Sequence, residues 1–334
     1  MIVENGPGPA RPLRYGWGPS GRRLAEQGRW EELLQRFRLA RALGDPLSGP
    51  LGHLVAYGAP APLAARLFDP DGGPGAPATT ADHDAGPLWE VLATRHPRPV
   101  LDALPLPPAI RRLAAHTRAL LGEEPGDGPG GGPGGGPGGS AADEGGVPYR
   151  LLPWEDGGWE RDTRVREYLP GGGARRALHL APPTREGLAV LELPNPGSRL
   201  TGVAATGALA ALSDWTTAVC VRGRATDAVA QLAAGPEVTG GHLPFAALYP
   251  ALVHLASARP DRGAAQGRLA VWQLLAAMDG TPTPDRAAAD ALVARLRCLA
   301  WTEPADDLRH LHLALEDPAT GLAWALSGTT PDPA

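Results

Sequence analysis

The sequence predicts an α+β chain. It should comprise an N-terminal helical region with a helical-repeat-like pair, a Gly/Pro-rich linker, and a C-terminal α+β region with a mainly antiparallel sheet. Three observations carry that expectation. Apolar residues recur at helical spacing up to residue 122. Residues 126–140 read GDGPGGGPGGGPGGS, with no side chain able to build a core. Near the C-terminus apolar and polar residues alternate, as in strands. The expected boundaries are 1–122 for the helical region, 123–147 for a disordered linker and 148–330 for the α+β region.

The first helix is expected over Arg22–Leu43, softly interrupted at Gly28. Trp30, Leu33, Phe37 and Ala40 form its apolar stripe, with Arg29, Arg36, Arg38 and Arg41 on the other faces. An internal similarity follows at an offset of 37 residues: LVAYGAPAPLAARL at 54–67 and VLATRHPRPVLDAL at 91–104. In each copy a helix ends near a P-x-P turn (Pro60 and Pro62, Pro97 and Pro99) and a second helix begins, because proline stops one helix and fits the first turn of the next. The spacing resembles HEAT-like or ankyrin-like repeats, and an ordinary helical bundle is the alternative. A last helix covers Pro108–Leu121, with Ile110, Leu113, Thr117 and Leu120 on one side.

The linker is stiffened by Pro129, Pro133 and Pro137. A phosphate cradle is the sharper reading of its glycines, but it lacks a following lysine or Ser/Thr pair and a preceding strand. Beyond it, Arg175–Leu180 and Leu188–Leu193 read as a hairpin, Val203–Leu212 as a weak helix, Thr216–Val221 as a strand and Thr226–Ala234 as a helix. Leu243–Ala256 is a helix that Pro250 should kink or split. Ala264–Met278 is a helix ended by Asp279-Gly280, and Thr283-Pro284-Asp285 starts another that buries Leu292, Val293, Leu296 and Leu299. Leu299–Thr302, Leu308–Leu315 and a strand with Leu322, Trp324 and Leu326 make an antiparallel meander.

Composition narrows the chemistry. All 31 basic residues are arginine, which excludes a Walker-type phosphate loop, a Schiff-base lysine and a Ser-Lys hydrolase. Arginine in place of lysine, with abundant Ala, Gly and Pro, fits a high-GC genome. The net charge of -5 leaves no chain-wide basic field for nucleic acid. Two cysteines, Cys220 and Cys298, argue against a disulfide scaffold. Met1–Arg14 carries no apolar signal segment, and the longest mild apolar run, 203–212, is about half the ~20 residues of a membrane helix. A cytoplasmic location is the expectation.

Candidate site residues are few. His310 and His312 share one strand face, close in sequence to Asp306, Asp307 and Glu316, so a metal site is conceivable and a solvated strand edge is the simpler reading. Asp82-His83-Asp84 sits in a Gly/Pro-rich loop and His254 in a helix beside Leu255; a solvated loop and a core or boundary histidine are the respective readings. Cys220 in a strand and Cys298 at a helix end read as small core residues. No catalytic residue is identified, and neither a cofactor-binding motif nor a metal site is assigned.

GAAQGRLAVW at 263–272 and GLAWALSGTTPD at 321–332 resemble segments of an actinobacterial family of uncharacterised proteins, known only as a domain of unknown function. The resemblance implies an α+β C-terminal region and transfers no activity or site. Physically, Gly263 and Gly267 let a backbone pass closely, Arg268 can pair with a carboxylate, and Trp272 can anchor its helix in the core. The leading functional expectation is a non-enzymatic protein-binding or regulatory protein with a protein partner. The alternatives are a metal-dependent enzyme using His310 and His312, and weak nucleic-acid binding through the 22–43 helix.

Overall fold

Residues 19–68, 81–82, 86–123, 143–175, 177, 188–259, 261–304, 306 and 309–330 are described in a computed structural model of the chain. Gly28 adopts φ +67°, a left-handed conformation costly for side chains with a Cβ. It therefore divides the expected first helix into α1 (Pro19–Glu26) and α2 (Trp30–Ala42). The α2 stripe buries Leu33, Leu34, Phe37 and Ala40. Next come α3 (Ser48–Gly58), α4 (Ala61–Ala65), a short ladder of β1 (Ala81–Asp82) and β2 (Gly86–Pro87), then α5 (Leu88–Arg95), α6 (Arg98–Asp102) and α7 (Pro108–Leu120).

The two similar segments adopt one local layout. Pro60 caps α4 with Pro62 in its first turn, and Pro97 caps α6 with Pro99 in its first turn. Proline's fixed φ and missing N–H suit those positions. Helix α2 packs on α3, α3 on α5, and α5 on α7.

The second half begins with α8 (Pro153–Asp156), β3 (Glu167–Tyr168), β4 (Ala174–Arg175), β5 (Ala189–Glu192), α9 (Ala204–Ala210), β6 (Thr216–Arg222) and α10 (Ala225–Val229). It continues with β7 (Glu237–Leu243), α11 (Phe245–Ala256), α12 (Ala264–Asp279), α13 (Arg286–Arg295), β8 (Arg297–Thr302), β9 (His310–Asp317) and β10 (Leu322–Thr329). Six of these strands form an antiparallel sheet in the order β5-β7-β8-β9-β10-β6. The α+β class is as expected, as is the β8-β9-β10 meander.

Several elements differ from the sequence expectation. Of the expected hairpin of 175–180 with 188–193, residues 176 and 178–180 lie outside the described residues; Arg175 pairs in β4 with β3, and β5 joins the sheet edge against β7. Strand β7 carries no strand signal in the sequence, because Gly240 and Gly241 break its apolar pattern. Pro250 does not split α11, which runs unbroken through it. The N-cap of α13 is Asp285, whose carboxylate accepts from Ala288 N at 2.8 Å, so the start falls later than expected. Cys298 lies within β8 and not at a helix end. Residues 126–140 lie outside the described residues.

Alternation gives the sheet two unlike faces. One carries Cys298, Ala300, Leu311, Leu313, Leu315, Trp324 and Leu326 into a core with α9, α11, α12 and α13. The opposite face carries Val219, Val221, Leu299, Trp301, Ala314 and Ala323 against the short α10. Helix α12 also packs against α7, and its Ala265 belongs to the core of the N-terminal helices. Among the described residues no helix is long and apolar enough to cross a membrane.

Candidate functional site

The densest polar cluster lies where α12 meets the N-terminal helices. Gly263 permits the approach to α5, where a Cβ would meet Trp89 and Glu90, and Gly267 permits that to α11, where a Cβ would fall 2.5 Å from the carbonyl of Val253. One residue on, Arg268 is fully buried and meets the fully buried Glu155 of α8 in a two-pronged pair, Nε–Oε1 2.8 Å and Nη2–Oε2 2.9 Å. Trp272 Nε1 (2.9 Å), Tyr249 OH (2.8 Å) and Leu152 N (2.9 Å) donate to the same carboxylate. Burial opposes the charge on Glu155, and Arg268 with these donors outweighs it, holding the carboxyl below its usual value.

The network continues into α7. Arg268 Nη1 donates to His116 Nδ1 at 2.6 Å, so His116 Nε2–H donates to Asp143 at 2.9 Å. Burial drives His116 down to about 4 while Asp143 pulls the other way, so the ring is neutral at pH 7. Burial also opposes ionisation of Asp143, but His116, the Val147 N–H and Arg112 hold its carboxyl well below the usual range. A third buried carboxylate, Glu90 of α5, accepts from Tyr168 OH at 2.6 Å and from Ala264 N at the start of α12. Glu155 and Glu90 thus fix α12 against several other elements. Their oxygens already have protein partners, so the arrangement holds the fold and leaves little room for substrate chemistry.

His310 and His312 share a sheet face, as their spacing requires, with ring centroids 6.0 Å apart. His312 is buried. Its Nδ1 contacts Ser327 Oγ at 2.9 Å, its ring stacks on Trp301, and its Nε2 lies 3.0 Å from Asp306 Oδ2. His310 Nε2 is 3.9 Å from the other oxygen of Asp306. Among the described residues no group of three His, Cys, Asp or Glu side chains is arranged to hold a metal ion.

Glu316 is drawn away from the histidines; it accepts from Ala225 N at 2.9 Å and Arg297 at 3.2 Å. Asp307, His83 and Asp84 lie outside the described residues, so the Asp82-His83-Asp84 cluster has no geometry to report. His254 is buried on α11. Burial raises the Cys220 thiol and drives Cys298 up to about 12, so neither supplies a thiolate at neutral pH.

Two surface features remain. At one end of the sheet an open cleft of about 590 Å3 is lined by Arg224, Thr226, His242, Leu243, Arg297 and Glu316, among others. The second is apolar. Leu39 near the end of α2 and Leu43 at its C-cap, four residues apart, stand 62% and 74% exposed, followed by the exposed Leu47. Arg36 is exposed one turn before Leu39. The positions of Leu39 and Leu43 off the Leu33–Phe37–Ala40 stripe mark them as outward-facing in the sequence itself. Comparisons of the chain with protein-family models, curated proteins and solved structures return no match.

Proposed function

We propose that this chain is a non-enzymatic binding protein that docks a partner protein on the outer face of α2. The observation behind this reading is the ridge of Leu39, Leu43 and Leu47, three large apolar side chains presented to water in succession. The occupant that fits is an amphipathic helix with an acidic flank: its apolar stripe covers the leucines and its carboxylates meet Arg36. A second copy of the chain fits less well, since a twofold contact would bring the same arginines together.

The test uses immobilised wild-type protein and the Leu39→Ser/Leu43→Ser double variant. A captured protein is identified, purified and titrated against both. The proposal expects saturable binding to wild type, weakened at least about tenfold in the variant, a loss of about 1.4 kcal/mol. Equal binding to both, or no partner, contradicts it. Self-association that the double variant abolishes would identify a second copy as the occupant and overturn the acidic-helix assignment.

The sheet-end cleft supports a second reading, binding of a small organic anion. Its size suits a metabolite. Arg297 is oriented by Glu316, and Arg224 is exposed on the rim. Titration with inorganic phosphate should give saturable heat that Arg224→Ala reduces; identical isotherms for the two proteins would remove this reading.

A further inference from the structure

Arg164 and Arg166, two residues apart, are both withdrawn from water; their side chains are 5% and 9% exposed. Each is only partly satisfied. Arg164 Nη2 reaches Asp156 O at 3.0 Å, Trp159 O at 3.3 Å and Asp156 Oδ1 at 2.8 Å, whereas its Nε and Nη1 are buried without a hydrogen-bond partner. Arg166 Nη2 reaches Ser257 O at 3.0 Å and Arg259 O at 3.3 Å, whereas its Nη1 has no hydrogen-bond partner and lies 4.0 Å from Glu90 Oε2. Glu90 is already engaged by Tyr168 and Ala264 N, and Asp156 is mostly in water.

Both arginines line one small cavity of about 10 Å3, together with Thr163, His254 and Ser257. That is room for a single water-sized body. Guanidinium groups stay charged and can only donate, and buried donors left unmade are costly. Arg164, with two unpartnered nitrogens, lines this space beside the second buried guanidinium, and the pair calls for an acceptor that brings negative charge. A water also carries two protons that need acceptors of their own, whereas a halide only accepts. A carboxylate or phosphate exceeds the space.

We infer that this cavity is a binding site for a single-atom halide, chloride under ordinary conditions. Thermal unfolding of the full chain in sodium chloride, sodium gluconate and sodium acetate at equal ionic strength tests it. Chloride at about ten times its dissociation constant should raise Tm by about 3 °C over gluconate. Arg164→Met should erase that increment. No difference between chloride and gluconate overturns the proposal, and an equal rise in acetate overturns the halide assignment. If Arg164→Met does not fold, the chloride-35 linewidth with wild-type protein decides. Broadening that bromide reverses supports the site; a linewidth equal to that of buffer overturns it.

Discussion

The side chains of Arg268 and of the Arg164–Arg166 pair are all withdrawn from water and are satisfied to very different degrees. Each nitrogen of Arg268 has a partner: Glu155 takes two, His116 one, and Arg150 O lies 3.4 Å from Nη2. Arg164 and Arg166, which line one cavity, leave three nitrogens without a hydrogen-bond partner. Burial of a charge therefore does not by itself mark a functional site. A closed set of partners marks architecture, and an open set marks a place where something else binds.

The largest test of the closed side is Glu155→Gln. It leaves the Arg268 charge uncompensated in the core, and breaking a buried pair from one side costs about 3–5 kcal/mol. Urea unfolding should show that loss, or the variant should fail to fold; a change below about 1 kcal/mol would mean that the seam contributes little.

The next effect is pH-dependent. His116 is held at about 4 against an ordinary 6.5, so between those values the unfolded chain takes up a proton that the folded chain refuses. This contribution is fully present above 6.5 and lost as pH falls toward 4, about 3 kcal/mol in all. The depressed Asp143 carboxyl acts in the same sense, its contribution being lost as pH drops below the ordinary carboxylate value. Between pH 7.5 and 4.5 wild type should lose more urea stability than His116→Asn; parallel losses would remove His116 as the cause.

Gly267→Ala is smaller. Its methyl meets the Val253 carbonyl and should cost about 1–3 kcal/mol through overpacking at the α11–α12 crossing. Calorimetry reads it directly, and an unchanged Tm would show that the helices can separate freely. The smallest stability effect belongs to the surface. Leu39→Ser/Leu43→Ser should shift unfolding by no more than about 0.5 kcal/mol, so a loss of binding in that variant would reflect the docking face.

Much of the seam was legible locally. The Gly267-Arg268 step predicted close helix approach and a carboxylate partner, and Trp272 predicted an anchor. The identity of that carboxylate was not legible, because Glu155 lies 113 residues from Arg268 and no local pattern links them. Strand β7 was hidden by adjacent glycines, and the pairing of β5 with β7 joins segments more than 40 residues apart that no local pattern links. The alternation of β9 did place His310 and His312 on one face, but burial and the contact with Asp306 depend on the fold around them. The open arginine pair was also invisible, since a missing partner has no sequence signature.

A crystal of the full chain soaked in sodium bromide tests the contrast most directly, because one anomalous difference map covers both sets of arginines. The account predicts a bromide peak beside Arg164 and Arg166 and none at Arg268. A map without a peak in that cavity, or with one displacing Glu155 from Arg268, would contradict it.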